Sequence, residues 1–404
     1  MKNIDDFNFR NRKALLRVDF NVPLNNELIV TDETRIIAAI PTIKKIINEG
    51  GSVILMSHLG RPKKGPEDKY SLKHIIPNLQ EKLGTEVKFA SDCIGASALE
   101  LSQTLGTGEV MLLENVRFYP EETKGDEDFA SKLAKLGDIY VNDAFGTAHR
   151  AHASTTIVAQ FFEDKCAGYI MGSELANAKK VLEDPNRPFT AIMGGAKISD
   201  KIMIIEKLLD KVDHLIIGGG MSYTFSKAQG GAIGKSLCED NRMALTLELI
   251  EKAKAKGVKI YLPLDNVIAD DFRNEAHRQI VNSGDIPDDW EGLDIGPQSI
   301  DAFAGPQSID AFANVIKNSK TILWNGPMGV FEFPNFAVGT EAIAEAVVTA
   351  TQNGGFSLIG GGDSAAAINN LGYGDKVSYV STGGGALLEY MEGKTLPGVA
   401  ILED

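Results

Sequence analysis

At 404 residues the chain is too long for one ordinary core and suits two domains of about 200 residues each. Its 43% hydrophobic and 24% charged residues are those of a soluble globular protein, and a net charge of −14 argues against general affinity for nucleic acid or membrane. The three cysteines, Cys93, Cys166 and Cys238, are far apart and lack metal-ligand spacing, so reduced thiols in the cytosol are expected. The N-terminal Met1-Lys2-Asn3-Ile4-Asp5-Asp6 carries acids where a signal peptide needs an apolar run, and no apolar stretch approaches the ~18 residues of a membrane helix.

Along the chain, short apolar, β-branched runs alternate with longer amphipathic stretches. Strands are expected at Ala14–Phe20 and Ser52–Ser57. Between them Glu33–Asn48 places Ile36, Ile37, Ile40, Ile43, Ile46 and Ile47 at helical spacing, stopped by Gly50-Gly51 and kinked at Pro41. Val110–Glu114 and Asp138–Asn142 are the next strand-like runs. Gly172–Leu182 then reads as a helix, and Glu183-Asp184-Pro185-Asn186-Arg187-Pro188 as the breaker after it. A domain boundary belongs around Gly168–Arg187, and a helix joining two domains there would be a natural hinge. The second half repeats the pattern, with strands at Thr190–Met193, His214–Ile217, Lys259–Leu262, Thr321–Trp324, Phe356–Ile359 and Val377–Val380. Lys201–Val212 and Arg242–Lys256 read as its helices. The fold class is therefore α/β: two Rossmann-like domains with mainly parallel sheets, joined by a hinge helix, with ligands at the carboxyl ends of the strands.

Gly296-Pro297-Gln298-Ser299-Ile300-Asp301-Ala302-Phe303-Ala304 is followed at once by the identical nine residues Gly305–Ala313. Solenoid repeats are longer and come in several copies, so this is not a repeat architecture but a recent tandem duplication or an error in making or recording the gene. Nine residues advance a helix by about two and a half turns, which reverses its apolar face, and Gly305-Pro306 would break a helix through both copies. One copy is expected to keep the packed position while the other bulges out as surface loop.

Up to Arg150 the chain holds seven arginines, and five of them sit at expected strand ends or loops: Arg17, Arg35, Arg61, Arg117 and Arg150. Arginine presents a planar, permanently charged fork that pairs with two carboxylate or phosphate oxygens at once. Any one of them alone would be read as a solvated surface charge, and His58, His149 and His152 as hydrogen-bonded structural histidines. Their placement at successive strand ends points instead to a site for a small, multiply charged anion.

Four glycine clusters follow apolar runs in the second half: Gly194-Gly195-Ala196-Lys197, Gly218-Gly219-Gly220, Gly360-Gly361-Gly362-Asp363 and Gly383-Gly384-Gly385. Glycine there lets a backbone approach phosphate closely, and a following helix offers unpaired N–H groups. Two familiar signatures fail. Gly360-x-Gly362-x-x-Ala365 lacks the acid expected about 20 residues on, and Gly234-Lys235-Ser236 has Gln229 where a phosphate loop needs its first glycine. Lys197-Ile198-Ser199-Asp200-Lys201 offers better chemistry, with two lysines four residues apart at an expected helix start. Asp363 could help hold Mg²⁺ or could equally be a helix N-cap.

Together these segments resemble phosphoglycerate kinase from near residue 4 to residue 402. Arg17–Pro23, His58–Pro62, Gly146–Ala153, Gly194–Lys201, Trp324–Glu332, Gly360–Asp363 and Ser381–Gly385 carry the resemblance, in that family's order. It implies a 3-phosphoglycerate-binding domain over residues 1–170, an interdomain helix and linker over 171–187, and a nucleotide-binding domain over 188–385. The tail 386–404 would pack back on the first domain. By resemblance, Asp19, Phe20 and Asn21 would surround the substrate hydroxyl, and Arg35, His58, Leu59, Gly60, Arg61, Arg117 and Arg150 its phosphate and carboxylate. Ala196, Lys197, Lys201, Gly361, Gly362, Asp363 and Ser364 would surround the nucleotide phosphates and the metal. Gly218, Gly219, Gly292, Leu293, Asn325, Pro327 and Val330 would frame the base, Glu332 the ribose, and Thr382 to Gly385 the helix start that meets the transferring group.

Ser364 stands where the family commonly has threonine, Leu387 lies at a variable position, and the stretch from Gly292 to Asn325 is nine residues longer than the family pattern. The extra residues adjoin the base side, so nucleotide affinity is the property they would affect.

The implied activity is reversible in-line phosphoryl transfer from 1,3-bisphosphoglycerate to MgADP, giving 3-phosphoglycerate and ATP, as in glycolysis. Mg²⁺ would be the cofactor and ATP/ADP the co-substrate, in a cytoplasmic monomer without nucleic-acid or membrane partners. The acceptor carboxylate is already ionised at neutral pH. No general base is needed, which fits the lack of an obvious Ser/His/Asp or Cys/His arrangement. The remaining work is positioning and charge neutralisation, assigned to Arg35, Lys197 and Lys201 with the backbone N–H groups of Gly384 and Gly385. Substrates on separate domains would require a closing motion that excludes water. The rival readings are a nucleotide-binding protein of this fold impaired by the duplication, and a nicotinamide-dependent dehydrogenase, which lacks its fingerprint. Lys201→Ala should lower turnover at least ~10-fold with little change in 3-phosphoglycerate binding. Steady-state rates beside equilibrium binding check this, and unchanged turnover would remove Lys201 from the catalytic set.

Overall fold

The computed structural model describes residues 1–63, 65–300 and 312–403. They form two compact units. One is Met1–Ala176 with the C-terminal residues from Lys394 on, and the other is Asn177–Gly393.

The first unit is built on a six-stranded sheet of β1 (Lys13–Arg17), β2 (Ser52–Met56), β3 (Val87–Ala90), β4 (Val110–Leu113), β5 (Ile139–Asn142) and β6 (Lys165–Ala167), in the order β3-β4-β2-β1-β5-β6. Every pairing is parallel. Helices cover both faces of such a sheet, so its strands read as unbroken apolar runs, and Ala14, Leu15 and Leu16 are fully buried. Helix Thr34–Asn48 lays Ile36, Ala39, Ile43 and Ile46 on the core, while Ile37 falls off that face and is exposed. The helix runs through Pro41, whose ring lacks the N–H that would pair with the Ile37 carbonyl.

Asp143, just past β5, is buried and joins three segments. Its carboxylate accepts from the Thr42 hydroxyl at 2.6 Å and from the backbone N–H groups of Ile170 and Met171 at 2.7 and 3.1 Å. The Thr42 hydroxyl in turn accepts from the Tyr169 N–H. The helix therefore spans Tyr169–Leu182, starting three residues before the expected Gly172, because its cap comes from a distant strand end. The C-terminal segment joins the same unit: Gly398 donates to the Ala148 carbonyl, and Asn142 Nδ2 to the Gly398 carbonyl. This segment begins at Lys394, so helix Gly385–Met391, at the front of the expected tail, belongs to the second unit.

The second unit holds a larger set of strands: β7 (Phe189–Met193), β8 (His214–Ile217), β9 (Ala232–Ile233), β10 (Lys259–Tyr261), β11 (Asp265–Ala269), β12 (Arg278–Asn282), β13 (Asp285–Ile286), β14 (Glu291–Ile295), β15 (Thr321–Asn325), β16 (Phe356–Gly360) and β17 (Tyr379–Val380). Six of them make a parallel sheet in the order β10-β8-β7-β15-β16-β17. Antiparallel β12-β11-β14 forms a separate sheet that sequence patterning did not anticipate. Arg278, Gln279 and Ile280 of β12 are exposed, so this strand offers no continuous apolar run. The expected helices are shorter than read, at Ile202–Leu208 and Met243–Ala255.

Both copies of the duplication contribute packed residues. Ser299 of the first copy is buried against Asp265, whose carboxylate accepts from the Gln298 and Ser299 N–H groups at 3.0 and 2.9 Å. Phe312 and Ala313 of the second copy enter the core beside Ile316, Ile322 and Trp324. The head of the packed segment thus comes from one copy and its end from the other. The expected surface loop falls on residues 301–311, which lie outside the described residues. Cys93 and Cys166 are buried and Cys238 half-buried, all as free thiols. Among the described residues no helix is long and apolar enough to cross a membrane.

Burial raises the Asp143 carboxyl from 3.8 to about 6. The folded form therefore holds a proton that the unfolded chain has released, and this contribution to stability falls as pH rises from about 4 to about 6. Asp143→Asn cannot titrate and should lack that slope. Urea unfolding of both proteins across this range checks it, and parallel pH curves would show that the carboxyl is not raised.

Candidate substrate and nucleotide sites

In the first unit the arginines gather where the sheet's carboxyl ends open. A cavity of about 500 Å³ is lined by Arg61, Lys63, Arg117, Arg150 and His152, with Phe118 and Tyr119 among its other walls. Arg17 lies outside this lining and is buried. Its Nε donates to Ser154 Oγ at 2.8 Å, one terminal nitrogen donates to the Val18 carbonyl, and the other lies 3.3 Å from His58 Nδ1. Arg35 is also outside the lining, pairs with Asp19 at 3.1 Å, and donates to the Asn21 carbonyl at 3.0 Å. Asn21 Oδ1 accepts from Gly60 N–H, whose carbonyl accepts from Arg117. These bonds tie the loops after β1, β2 and β4 into one surface.

Four of these guanidinium groups act on His58. Burial comes first, then Arg17, Arg117, Arg35 and Arg150, and together they drive its pKa well below the usual histidine value. His58 is therefore neutral at physiological pH and brings a hydrogen bond to the site, not a charge. His152 is likewise lowered, to about 4, first by burial and then by Arg117 and Arg150. Burial, then Arg17 and Arg150, lowers Arg117 to about 10, where it stays charged at neutral pH. The side chains of Phe20 and Leu59 are in the hydrophobic core, so only their backbone can meet a ligand.

In the second unit, backbone bonds sew together the loops at the carboxyl ends of β7, β8 and β15. Gly194 N–H donates to the Asn325 carbonyl, Gly195 to Pro327 and Gly219 to Met328, at 2.9, 3.0 and 3.1 Å. Gly219 sits at φ +66, and a Cβ there would come within 2.6 Å of the Gly195 nitrogen, so no other residue permits this approach. Gly218 and Pro327 are buried in the same layer. Beyond it Leu293 and Val330 pack with Phe336, and Val330 N–H donates to the Leu293 carbonyl at 2.8 Å. Asp294 holds the next layer by accepting from Gly339 N–H at 2.8 Å. Gly292 is half-buried beside Tyr223, and Glu332 is exposed.

Lys201 immediately precedes helix Ile202–Leu208, and Lys197 lies on the loop before it, so the two are not on one helical face as the spacing suggested. Lys201 Nζ donates to the side chain and carbonyl of Asn325, which places Asn325 at the lysine end of the site. Burial lowers Lys201 to about 8, opposed by Asp363 and Asp200. Lys197 and Ala196 are exposed. Gly361, at φ +91, caps helix Gly362–Asn370, so Asp363 lies in the first turn and is not the N-cap. Ser364 is buried with its hydroxyl accepting from Gly326 N–H at 2.6 Å, so that group supports the loop after β15. Thr382 and Gly383 lead into Gly384 and Gly385 at the start of helix Gly385–Met391, where nothing lies within 4 Å of a Cβ at either glycine. Of the residues assigned to catalysis, Arg35 is in the first unit, and Lys197, Lys201, Gly384 and Gly385 are in the second.

The family model for phosphoglycerate kinase matches residues 4–394. The chain belongs to the phosphoglycerate kinase family. It is 52% identical to the phosphoglycerate kinase of Porphyromonas gingivalis, with 99% of each chain covered. It is also 52% identical to the cytosolic phosphoglycerate kinase of Triticum aestivum, over 99% of this chain and 98% of that one. The structure of phosphoglycerate kinase from Coxiella burnetii superposes with a TM-score of 0.87 at 40% identity, covering 100% of this chain and 98% of that one. That from Pyrococcus horikoshii gives 0.83 at 28% identity, with the same coverage. The chain is thus a phosphotransferase with two large, mainly parallel sheets, as phosphoglycerate kinases have.

Reading the sequence missed Glu122, Ser154 and Asp294. Glu122 follows Pro120-Glu121 in a short helix, where an acid looks solvated, yet it is fully buried. Nothing local in the sequence marks it.

Lys201 offers a direct pH test. The lysine must be charged to meet phosphate, so kcat/KM for the nucleotide should fall above about pH 8. Lys201→Arg stays charged and should hold a level profile over the same range, whatever its absolute rate. Rate profiles of both proteins check this, and matching alkaline falls would assign the decline to another group.

Proposed function

We propose that this chain moves a phosphoryl group between 1,3-bisphosphoglycerate and ADP, with 3-phosphoglycerate held by the first unit and the nucleotide by the second. One observation carries the assignment of the first site: Arg61, Arg117 and Arg150 line one cavity in the unit built on the parallel sheet, and buried Arg17 lies 3.3 Å from His58 Nδ1. A fork of fixed positive charge suits a ligand with a phosphate at one end and a carboxylate at the other. Asp19 and Asn21, tied to Arg35 and Gly60, are placed to meet its hydroxyl.

In the second unit, the layer of Gly218, Gly219 and Pro327 with Leu293 and Val330 suits a flat apolar base, and Glu332 a ribose. The loop ending at Lys201 and the turn at Gly361–Gly362 suit the phosphates. Asp363 is the acid suited to sharing a magnesium ion with phosphate oxygens. Mg²⁺ keeps several waters and is bound through few protein oxygens together with phosphates. When bound, that ion would neutralise phosphate charge.

Direct transfer requires the two ligands to meet. Arg35, Lys197 and Lys201, with the N–H groups of Gly384 and Gly385, would then surround the equatorial oxygens, where the transition state spreads its charge. The carboxylate acceptor needs no base, so neutral His58 and His152 have no proton to remove. One chain carries both sets of groups, which supports a monomer. Its match to cytosolic plant enzymes over 99% of its length supports the cytoplasm.

The test is ATP formation from 1,3-bisphosphoglycerate and MgADP by the chain as it stands, beside a version lacking residues 296–304. Both should turn over, within about threefold of each other, because Leu293, Val330 and Asp294 are packed and hydrogen-bonded in the long form. Activity confined to the shortened chain would make the duplicated form an impaired relative.

A further inference from the structure

Behind the arginine wall runs a buried relay that the transfer reaction itself does not call for. Glu122 is wholly buried, and its two carboxylate oxygens accept from Ser154 N–H at 2.8 Å and from Ser154 Oγ at 2.6 Å. Because the Ser154 hydroxyl gives its proton to Glu122, its lone pairs face the Arg17 Nε–H, which donates at 2.8 Å. Arg17 is itself buried, and its far nitrogen lies 3.3 Å from His58 Nδ1. A guanidinium can only donate, so Nδ1 accepts and the proton of neutral His58 rests on Nε2. The Asp19 carboxylate is 3.8 Å from the same Nδ1, too far to claim it.

The relay also balances charge. Arg17, Arg117 and Arg150 repel one another, and Glu122 and Asp19 are the acids that oppose this at Arg117. Asp19 is already paired with Arg35 at the surface. Glu122 is the counter-charge that stays in place at the back of the wall whatever occupies its front.

We propose that Glu122 and Ser154 are positioning residues for the anion site: they hold Arg17 from behind and, through it, fix His58 as the Nε2–H tautomer that can donate to a substrate oxygen. This rests on the reading of the first unit as the 3-phosphoglycerate site. Neither residue lines the cavity, and neither touches substrate in this account.

The test is a double-mutant cycle of Glu122→Gln, Ser154→Ala and the pair, read by KM for each substrate and by ¹⁵N NMR of the His58 ring. Glutamine carries an N–H₂ where Glu122 has an acceptor, so it cannot accept both Ser154 protons. Each single change should raise KM for 3-phosphoglycerate about tenfold and leave that for ATP unchanged. The double variant should be no worse than the poorer single, and both should move the His58 ring from one tautomer to a mixture. Ser154→Thr, which keeps the hydroxyl, should restore both readouts. If Glu122→Gln fails to fold, the contrast between Ser154→Ala and Ser154→Thr carries the test. Additive effects would overturn the proposal, as would tighter 3-phosphoglycerate binding in Glu122→Gln, the result for a simple repelling charge. A lower melting temperature with KM and tautomer unmoved would also overturn it. A wild-type protein without 3-phosphoglycerate-dependent turnover would sink the substrate assignment instead. Inorganic phosphate binding and the His58 spectrum would then still decide the relay.

Discussion

Crowding of like charge at the carboxyl ends of one parallel sheet is the constraint on which the first unit depends. Arg17, Arg35, Arg117 and Arg150 bear together on His58. Left to themselves, such groups would swing apart into water. Hydrogen bonds to main-chain carbonyls stop three of them: Arg17 to Val18, Arg35 to Asn21 and Arg117 to Gly60. A carbonyl dipole fixes a guanidinium without cancelling its charge, while Asp19 beside Arg35 and Glu122 behind Arg17 supply the counter-charge that lets the wall stand. Preorganisation of this kind makes the interaction strong, because the site need not rearrange when charge appears. The same crowding explains why His58 stays neutral.

The proposed nucleotide site of the second unit is framed more by backbone than by formal charge. Its loops approach one another through glycine backbone, and Gly219 marks the closest pass. Lys201, lowered to about 8, is half-buried by this architecture and restrained by Asn325. Burial that lowers a lysine also raises the value of its charge once a phosphate and Asp363 face it, since the local dielectric is low. One unit thus relies on many arginines fixed by carbonyls, and the other on few cations and many N–H groups.

Much of this was legible in the sequence because parallel strands announce themselves. Buried on both faces, they appear as apolar runs, and the residues just past each run share one edge of the sheet. That rule groups His58 and Arg117 at one edge of the first sheet, and Gly194, Gly218 and Gly361 at one edge of the second. The opaque features depend on contacts between distant segments. Asp143 starts a helix from a strand end, against the local signal at Gly172. Glu122 sits in an acidic turn that any pattern rule would place in water. In the β12-β11-β14 sheet, β12 is exposed at successive residues and so lacks the apolar signature of the parallel strands. Lys197 and Lys201 have helical spacing, but the helix begins after both.

The described ends of the duplication pack from different copies. Ser299 answers to Asp265, and Phe312 answers to the core around Trp324.

The wall of fixed positive charge is the central claim, and calorimetric titration with 3-phosphoglycerate alone, repeated over a range of ionic strength, tests it most directly. The account predicts one site per chain, formed without nucleotide, whose affinity weakens steadily as salt screens the guanidinium groups. Binding indifferent to salt, or absent until nucleotide is added, would contradict it.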